Sequence, residues 1–279
     1  MLAVAPCEKP CSCGEYGFLR MELMMTVQEL FCFFEEKFER NLCASWDNDG
    51  LSCAPDPQKE VKRVLVALDP TAEAVERALG GGFDVLLTHH PLLFRGIKAL
   101  TPACTVPRKL LQLALGGVAA MSFHTRLDAV VGGVNDILAE KLGILEVVPF
   151  APEGEVLCGR IGTLPAPLDA DDFALRVKKA LDAPAVLLSG SGTVQRIALC
   201  GGEGGDFVEA AAALGADLFL SGRIGYHRML DAPECGMLTL EAGHYATEFP
   251  VCEYLAKLTL AADPTIAVEI FETAKIRTV

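Results

Sequence analysis

Histidine and tryptophan are scarce in this chain, at five and one in 279 residues, and aromatic residues make up only 7%. No segment stays apolar for the ~18 residues that a membrane span needs, and the N-terminal stretch lacks the basic-then-apolar order of a secretory signal. Positive charge is also short, because 24 Lys and Arg against 37 Asp and Glu leave a net charge of -13. The field of such a chain repels nucleic-acid backbones and anionic membrane surfaces alike. These absences argue against a membrane protein and a general nucleic-acid binder, and they predict a cytoplasmic protein.

Apolar residues are plentiful at 51%, enough for a sizeable core in two ordinary domains or one large one. The eleven cysteines, an odd number scattered mostly singly from Cys32 to Cys252, suit a reducing compartment, and no disulfides are expected. Cys7, Cys11 and Cys13 are the exception, standing among Pro6, Pro10 and Gly14. They read as part of a disordered leader over residues 1–20, with the compact protein beginning near Met21, rather than as a soft-metal site.

Met25 to Arg40 has the apolar spacing of an amphipathic helix, followed by a turn-rich loop, Trp46-Asp47-Asn48-Asp49-Gly50-Leu51, in which Asp47 and Asn48 read as turn formers. A strand-helix-strand pattern follows in Val61 to Leu68, Thr71 to Leu79 and Asp84 to Leu87. A helix over Lys109 to Leu115 and a strand over Gly117 to Phe123 continue it, and alternation of this kind signals a parallel sheet. The pattern recurs: Arg63 to Thr88 lies over Arg196 to Ser221 without a gap, pairing Arg63 with Arg196, Asp84 with Asp217 and Leu87 with Leu220. A duplicated α/β unit leaves such a trace. Between the copies come a strand from Val156 to Ile161, a Pro-rich turn at Leu164 to Pro167, and a helix from Ala170 to Leu181 capped by Asp169. A helix from Thr247 to Leu260 and a strand from Thr265 to Phe271 end the chain. The expected fold class is α/β, with two similar lobes over residues 21–150 and 151–279 and a boundary near Pro152.

Two of the five histidines stand together in Thr88-His89-His90-Pro91, directly after a buried apolar run. Paired imidazoles at the end of a strand carry four ring nitrogens that need partners, and metal coordination supplies them. Pro91 pushes His90 away from helical angles and so helps turn both rings to one side. His124 precedes Asp128, and His244 precedes Glu248, each by one helical turn, so each pair can share a helix face. For His124 and Asp128 the nearby Gly132-Gly133 leaves a loop equally open. His89, His90, Asp128, His244 and Glu248 together offer three imidazoles and two carboxylates, a donor set suited to Zn, Mn, Fe or Co. Five ligands exceed one tetrahedral ion and suit two divalent ions sharing a carboxylate, which acidify water for hydrolytic attack. His124 stays open between a partner to the ligands and a core histidine, and His227 reads as a pocket or structural residue. Gly201 to Gly205 lacks the Lys-Ser/Thr of a phosphate loop but can present backbone donors to the cleft.

The strings Trp46-Asp47-Asn48-x-Gly50-Leu51, Thr88-His89-His90-Pro91-Leu92, His124-Thr125-x-Leu127-Asp128-Ala129, Gly132-Gly133-Val134-Asn135-Asp136 and Gly243-His244-Tyr245-x-x-Glu248, in this order, resemble the Nif-three-like dinuclear metal centre hexameric proteins, also called GTP cyclohydrolase I type 2 homologues. The resemblance spans about residues 22 to 279. It implies two similar α/β lobes with a dinuclear metal site in the cleft between them, ligands at His89, His90, Asp128, His244 and Glu248 with Glu248 or Asp128 bridging, and a homohexamer assembled as a trimer of dimers. The chain is too short between its lobes for the PII-like insertion of some members. Two positions depart from the family's pattern: Arg126 stands where Asn commonly precedes Leu-Asp, and Gly222-Arg223 stands where Gly-Asp is usual. Two extra cations beside the pocket would favour anionic substrates.

The reading that follows is a metal-dependent hydrolase acting on a nucleotide or phosphorylated small molecule, with His124 or Tyr245 available near the ligands and no dedicated general acid identified. The alternative is a non-catalytic metal-binding scaffold or metal-handling ring.

Overall fold

The computed structural model describes residues 24–153, 156–273 and 276, so the expected leader with Cys7, Cys11 and Cys13 lies outside the described residues. The first helix, α1 (Val27–Lys37), starts in a capping box: the Thr26 side chain accepts from Glu29 N, and the Glu29 carboxylate accepts from Thr26 N. Next come β1 (Gly50–Cys53), β2 (Arg63–Ala67), α2 (Ala72–Gly80), β3 (Val85–Thr88), α3 (Thr105–Leu115) and β4 (Ala119–Ser122). The short helix α4 (Thr125–Ala129) leads into α5 (Val134–Leu142), β5 (Leu145–Glu153), β6 (Val156–Asp169), α6 (Ala170–Ala180), β7 (Leu187–Ser189) and β8 (Thr193–Glu203). The chain finishes with α7 (Val208–Ala213), β9 (Leu218–Arg223), α8 (Tyr226–Asp231), β10 (Leu238–Glu241), α9 (His244–Glu248), α10 (Val251–Ala262) and β11 (Ala267–Phe271).

Two sheets result, ordered β1-β4-β3-β2-β11 and β5-β6-β8-β9-β10-β7. In the first, only β1 runs antiparallel to its neighbour; in the second, β8, β9 and β10 form the parallel centre. The duplication seen in sequence reaches individual hydrogen bonds. Asp84 Oδ2 accepts from the amides of Lys62 and Arg63, and Asp217 Oδ2 accepts from those of Gln195 and Arg196, at 2.7–2.9 Å. In each copy the carboxylate ties the start of one central strand to the start of the next, which is why an Asp heads both β3 and β9.

Three expectations are corrected. The Pro-rich stretch at Leu164 to Pro167 is not a turn between elements but part of β6, which shifts register between Thr163 and Leu168. Its pairing with β5 ends at Thr163, so Pro165 and Pro167 fall where one side of the strand is open and a missing N–H costs little. The helix expected over Thr247 to Leu260 is two, α9 and α10, divided at Pro250, whose ring cannot continue a helix and whose nitrogen has no proton to donate.

The third correction concerns the lobes. α10 packs its Val251, Cys252 and Leu255 with Phe34 and Phe38 of the first core, and β11 pairs in parallel with β2. α5 instead buries Leu138, Ala139 and Leu142 with Phe173 and Val177 of α6 under the second sheet. Each half therefore hands its last part to the other, and no single cut near Pro152 separates the two layers. The handovers occur just after α4 and α9, so these two short helices lie where the halves cross.

Candidate metal centre

The carboxyl end of β3 presents His89 and His90, and the crossing helices bring up Asp128 from α4 and His244 and Glu248 from α9. Thr88 Oγ1 donates to the carbonyl of His90 at 2.7 Å, holding the bend before Pro91. His89 is fully buried, and its Nδ1–H donates to the Phe123 carbonyl at 3.0 Å. That bond fixes the tautomer, so the Nε2 lone pair faces Asp128 Oδ1 at 3.6 Å and Glu248 Oε1 at 3.8 Å. His90 is held at Nδ1 by Asp69 Oδ1 at 2.7 Å, which leaves Nε2 3.1 Å from Glu248 Oε2. His244 Nε2 lies 3.0 Å from the same oxygen and 3.4 Å from His90 Nε2.

The two oxygens of Glu248 thus look toward two adjoining groups, His89 with Asp128 and His90 with His244, each compact enough with Glu248 to hold a cation. His89 Nε2 is the test of fit. It is buried, has no hydrogen-bond partner, and directs a lone pair at carboxylate oxygens. With a neutral His89 that arrangement is repulsive among protein groups alone, whereas a divalent cation satisfies all three atoms at once.

Electrostatics run the same way. Burial pushes the Asp128 carboxyl up, and the charge of Glu248 adds to it. Burial also works against ionised Glu248, but the imidazoles around it outweigh burial and hold its carboxyl well below the usual range. Burial opposes a charged His90 too, yet Asp69 and Glu248 on either side push it up to about 10. Protons on His90 and His244 balance the charge of Glu248 here, the balance a metal would otherwise provide.

Two acids that the sequence did not mark hold the rings in place. Asp69 follows β2 and fixes His90, while Asp47, read above as a turn former, bonds His124 Nδ1 at 3.0 Å and accepts from Thr125 N and Oγ1. An Asp at the carboxyl end of a parallel strand was the available signal for Asp69; nothing local marks Asp47. Carboxylates in this position orient a metal-binding His and raise its basicity. Asp69→Ala is therefore expected to weaken metal binding about 10- to 100-fold with the fold intact, as read by chelator competition beside circular dichroism.

Of the glycines in 201–205, Gly201 N is taken by Asn135 Oδ1 and Gly202 N by Thr247 Oγ1, so these amides are not free donors facing the cleft. Their role is close approach. A Cβ on Gly202, whose φ is +64°, would stand 2.1 Å from Glu248 Oε1 and 3.3 Å from His244 Nε2. Gly202→Ala should cost about 1–3 kcal/mol of backbone strain and displace Glu248; a denaturant melt and metal analysis of the same sample check both.

The remaining candidates take other places. His124 caps α4 and packs its ring 5.3 Å from that of His89 and 5.5 Å from that of His90, beside the ligand positions. Tyr245 turns away, stacking on Phe249 with its hydroxyl accepting from Thr273 N. Arg126 adds no charge to the pocket: it is fully buried on the far side, with Nε 2.9 Å from Asp49, a further nitrogen 2.5 Å from Glu35, and a bond to the Phe38 carbonyl. Arg223 is exposed at the end of β9 and does not line the cavity, and His227 is exposed on α8 against Tyr226. The cavity over the centre encloses about 400 Å³, walled by Trp46, Phe94, His124, Glu203 and Phe207 as well as His90, Asp128, His244 and Glu248.

Comparison with known proteins agrees with this architecture. The family model Duf34/NIF3 (NGG1p interacting factor 3) matches residues 25–278. The chain is 33% identical over 234 residues to a "GTP cyclohydrolase 1 type 2 homolog" of Clostridium perfringens, covering 81% of this chain and 88% of that one. It is 32% identical to "Protein NIF3 homolog" of Schizosaccharomyces pombe, covering 77% and 81%. Among solved structures it is similar to hypothetical protein SA1388 of Staphylococcus aureus, with 25% identity, a TM-score of 0.83 and coverage of 92% and 100%. It is also similar to reduced HcgD of Methanocaldococcus jannaschii, with 27% identity, a TM-score of 0.76 and coverage of 88% and 97%. A duplicated α/β fold whose halves cross at a His, Asp and Glu cluster, with a family match along nearly all the described chain, makes this protein a member of the DUF34/NIF3 family.

Proposed function

We propose that the protein holds two divalent transition-metal ions, Zn, Mn, Fe or Co, and hydrolyses a nucleotide or a related phosphorylated small molecule. The observation that carries this is Glu248, whose two oxygens face two separate ligand groups while the buried Nε2 of His89 has no other partner. One ion would take His90, His244 and Glu248, the other His89, Asp128 and Glu248. Ions held there would acidify water and polarise a scissile bond. His124 is the chain's own proton carrier: burial disfavours its charged form, but Asp47 and Asp128 outweigh burial and raise its pKa, so it holds a proton that it can give to a leaving group. The names of the curated relatives point toward a nucleotide, and the cavity is large enough for one ring system beside the ligands.

A second reading is a metal-binding scaffold or metal-handling ring. It draws on the wall of the central cavity, which among the described residues contains no Lys or Arg to bind an anionic leaving group. Under either reading we assign a homohexamer assembled from dimers, to which exposed Leu145 and Val148 on the edge strand β5 and Leu157 on its neighbour β6 offer apolar surface. A cytoplasmic setting belongs to the same proposal. No helix among the described residues is long and apolar enough to cross a membrane, and no disulfide joins any pair of them.

The test is metal analysis of freshly purified protein, then nucleotide hydrolysis after loading with Mn, Fe, Co or Zn, in the wild type and His89→Ala. Metal-dependent turnover lost in the variant supports the hydrolase. Full metal content with no turnover of any nucleotide supports the scaffold, and a wild type that takes up no metal rejects both.

A further inference from the structure

Where a substrate would lie can be read from what surrounds the centre, granting the metal-dependent reading above. Two cavities meet at a wall formed by His90, Pro91 and Phe94. The mouth of the first is flanked by Trp46 and Phe94, whose rings stand edge to face with centroids 5.8 Å apart, each 6.1 Å from His124. Trp46 is 51% exposed and Phe94 43%. Large aromatic faces left this open are not spent on the core, and they offer stacking surface to a planar ligand. The second cavity, about 620 Å³, has a different character, because Arg95 and Lys109 line it with Thr71. Lys109 Nζ donates to the Pro70 carbonyl, one bond of the three that an ammonium can make. The one acid among its described lining residues, Asp69, is engaged by His90 and Thr273. Stacking surface with no Lys or Arg among the described lining residues on one side of Pro91, and Arg95 with Lys109 on the other, match the two ends of a single molecule.

We propose that the protein binds a planar heteroaromatic ring against Trp46 and Phe94, its polar edge toward the His and Glu cluster, and a phosphate of the same molecule at Arg95 and Lys109. A nucleoside monophosphate has this chemistry. The ring selects through stacking, which tolerates different bases. The phosphate site adds charge-assisted bonds that a nucleoside lacks.

Trp46 is the only tryptophan of the chain, so its emission reports on that aromatic jaw directly. The full-length protein, with its metal content measured first, is titrated with guanosine 5′-monophosphate, guanosine and inorganic phosphate. The nucleotide and the nucleoside should both change the emission, the nucleotide binding about tenfold tighter, and phosphate alone should not. In Phe94→Ala both should weaken about tenfold. In the double variant Arg95→Ala, Lys109→Gln the nucleotide should fall to the affinity of the nucleoside, with metal content unchanged. Emission indifferent to both ring-bearing probes in metal-replete protein overturns the ring site. A nucleotide advantage that survives loss of both cations overturns the phosphate site. A wild type without metal defeats the metal reading instead, and the same titrations of the metal-free chain still decide the two sites proposed here.

Discussion

If two ions are held as proposed, Glu248→Gln should lose both together, whereas His89→Ala and His244→Ala should each lose one. The reason is geometric: Glu248 Oε2 stands 3.1 Å from His90 and 3.0 Å from His244, while Oε1 turns to His89 at 3.8 Å. An amide keeps the shape but removes the charge and leaves one neutral oxygen where two charged ones stood, so neither group of ligands retains a carboxylate. Because changes to residues that merely orient a ligand already cost about 10- to 100-fold in metal affinity, removal of a ligand shared by two ions should exceed that range at both. Metal analysis after equilibrium dialysis measures the outcome. A variant that keeps one ion at wild-type affinity would show that the two groups do not depend on a common carboxylate. The rest of the fold should be retained, since a glutamine side chain needs no more room than the glutamate it replaces.

Arg126→Met is expected to lose about 3–5 kcal/mol of stability, the usual consequence of deleting one partner of a buried ion pair. Asp49 has no exposed side-chain surface and would lose the buried guanidinium at Oδ2, keeping as a cation among the described residues only the solvent-exposed Arg40, 2.9 Å from Oδ1. Glu35 and the Phe38 carbonyl would lose their contacts with the same guanidinium. For a chain of this size the midpoint of thermal unfolding should fall on the order of 10 °C. The effect should reach the metal centre as well, because Asp49 Oδ2 also accepts from the amide of His124, at 3.0 Å. Arg126→Lys, which keeps the charge without the planar fork, should fall between the two. A thermal melt of all three proteins decides the matter: if Arg126→Met melts with the wild type, the guanidinium is not holding this loop.

The burial of Arg126 departs from what its place in the sequence suggests. It stands two residues before Asp128, and that proximity along the chain pointed to a cation in the pocket. In a helix, however, residues two apart point in markedly different directions, so Asp128 facing the cluster turns Arg126 toward α1 and the loop after it. Arg223 follows the same lesson in a strand, where a neighbour of the cleft-facing Gly222 points to the opposite face. Spacing identified the candidate ligands because i, i+4 positions share a face. It misplaced the arginines because nearness in sequence says little about direction.

The duplicated strands and their heading acids were legible, because each copy needs an Asp to tie two central strands and Gly82 and Gly215 at positive φ to enter the second of them. The exchange between halves was not legible. α5 and α10 are each amphipathic, and an apolar stripe shows that a helix packs without showing which sheet it covers. Asp47 and Asp69 were likewise invisible as supports, since the rings they hold lie 77 and 21 positions away along the chain.

By itself, then, the amino-acid order determined the alternating α/β pattern, the bend after His89 and His90, and the His-to-Glu turn of α9, all of which are written in local periodicity and in backbone restrictions at Gly and Pro. Only the tertiary structure decided that α4 and α9 meet where the halves cross, that Glu248 faces two groups at once, and that Arg126 is spent on Asp49. Those outcomes depend on which buried surfaces find each other across long stretches of chain, and on the direction in which each side chain leaves its element. No window of sequence contains either.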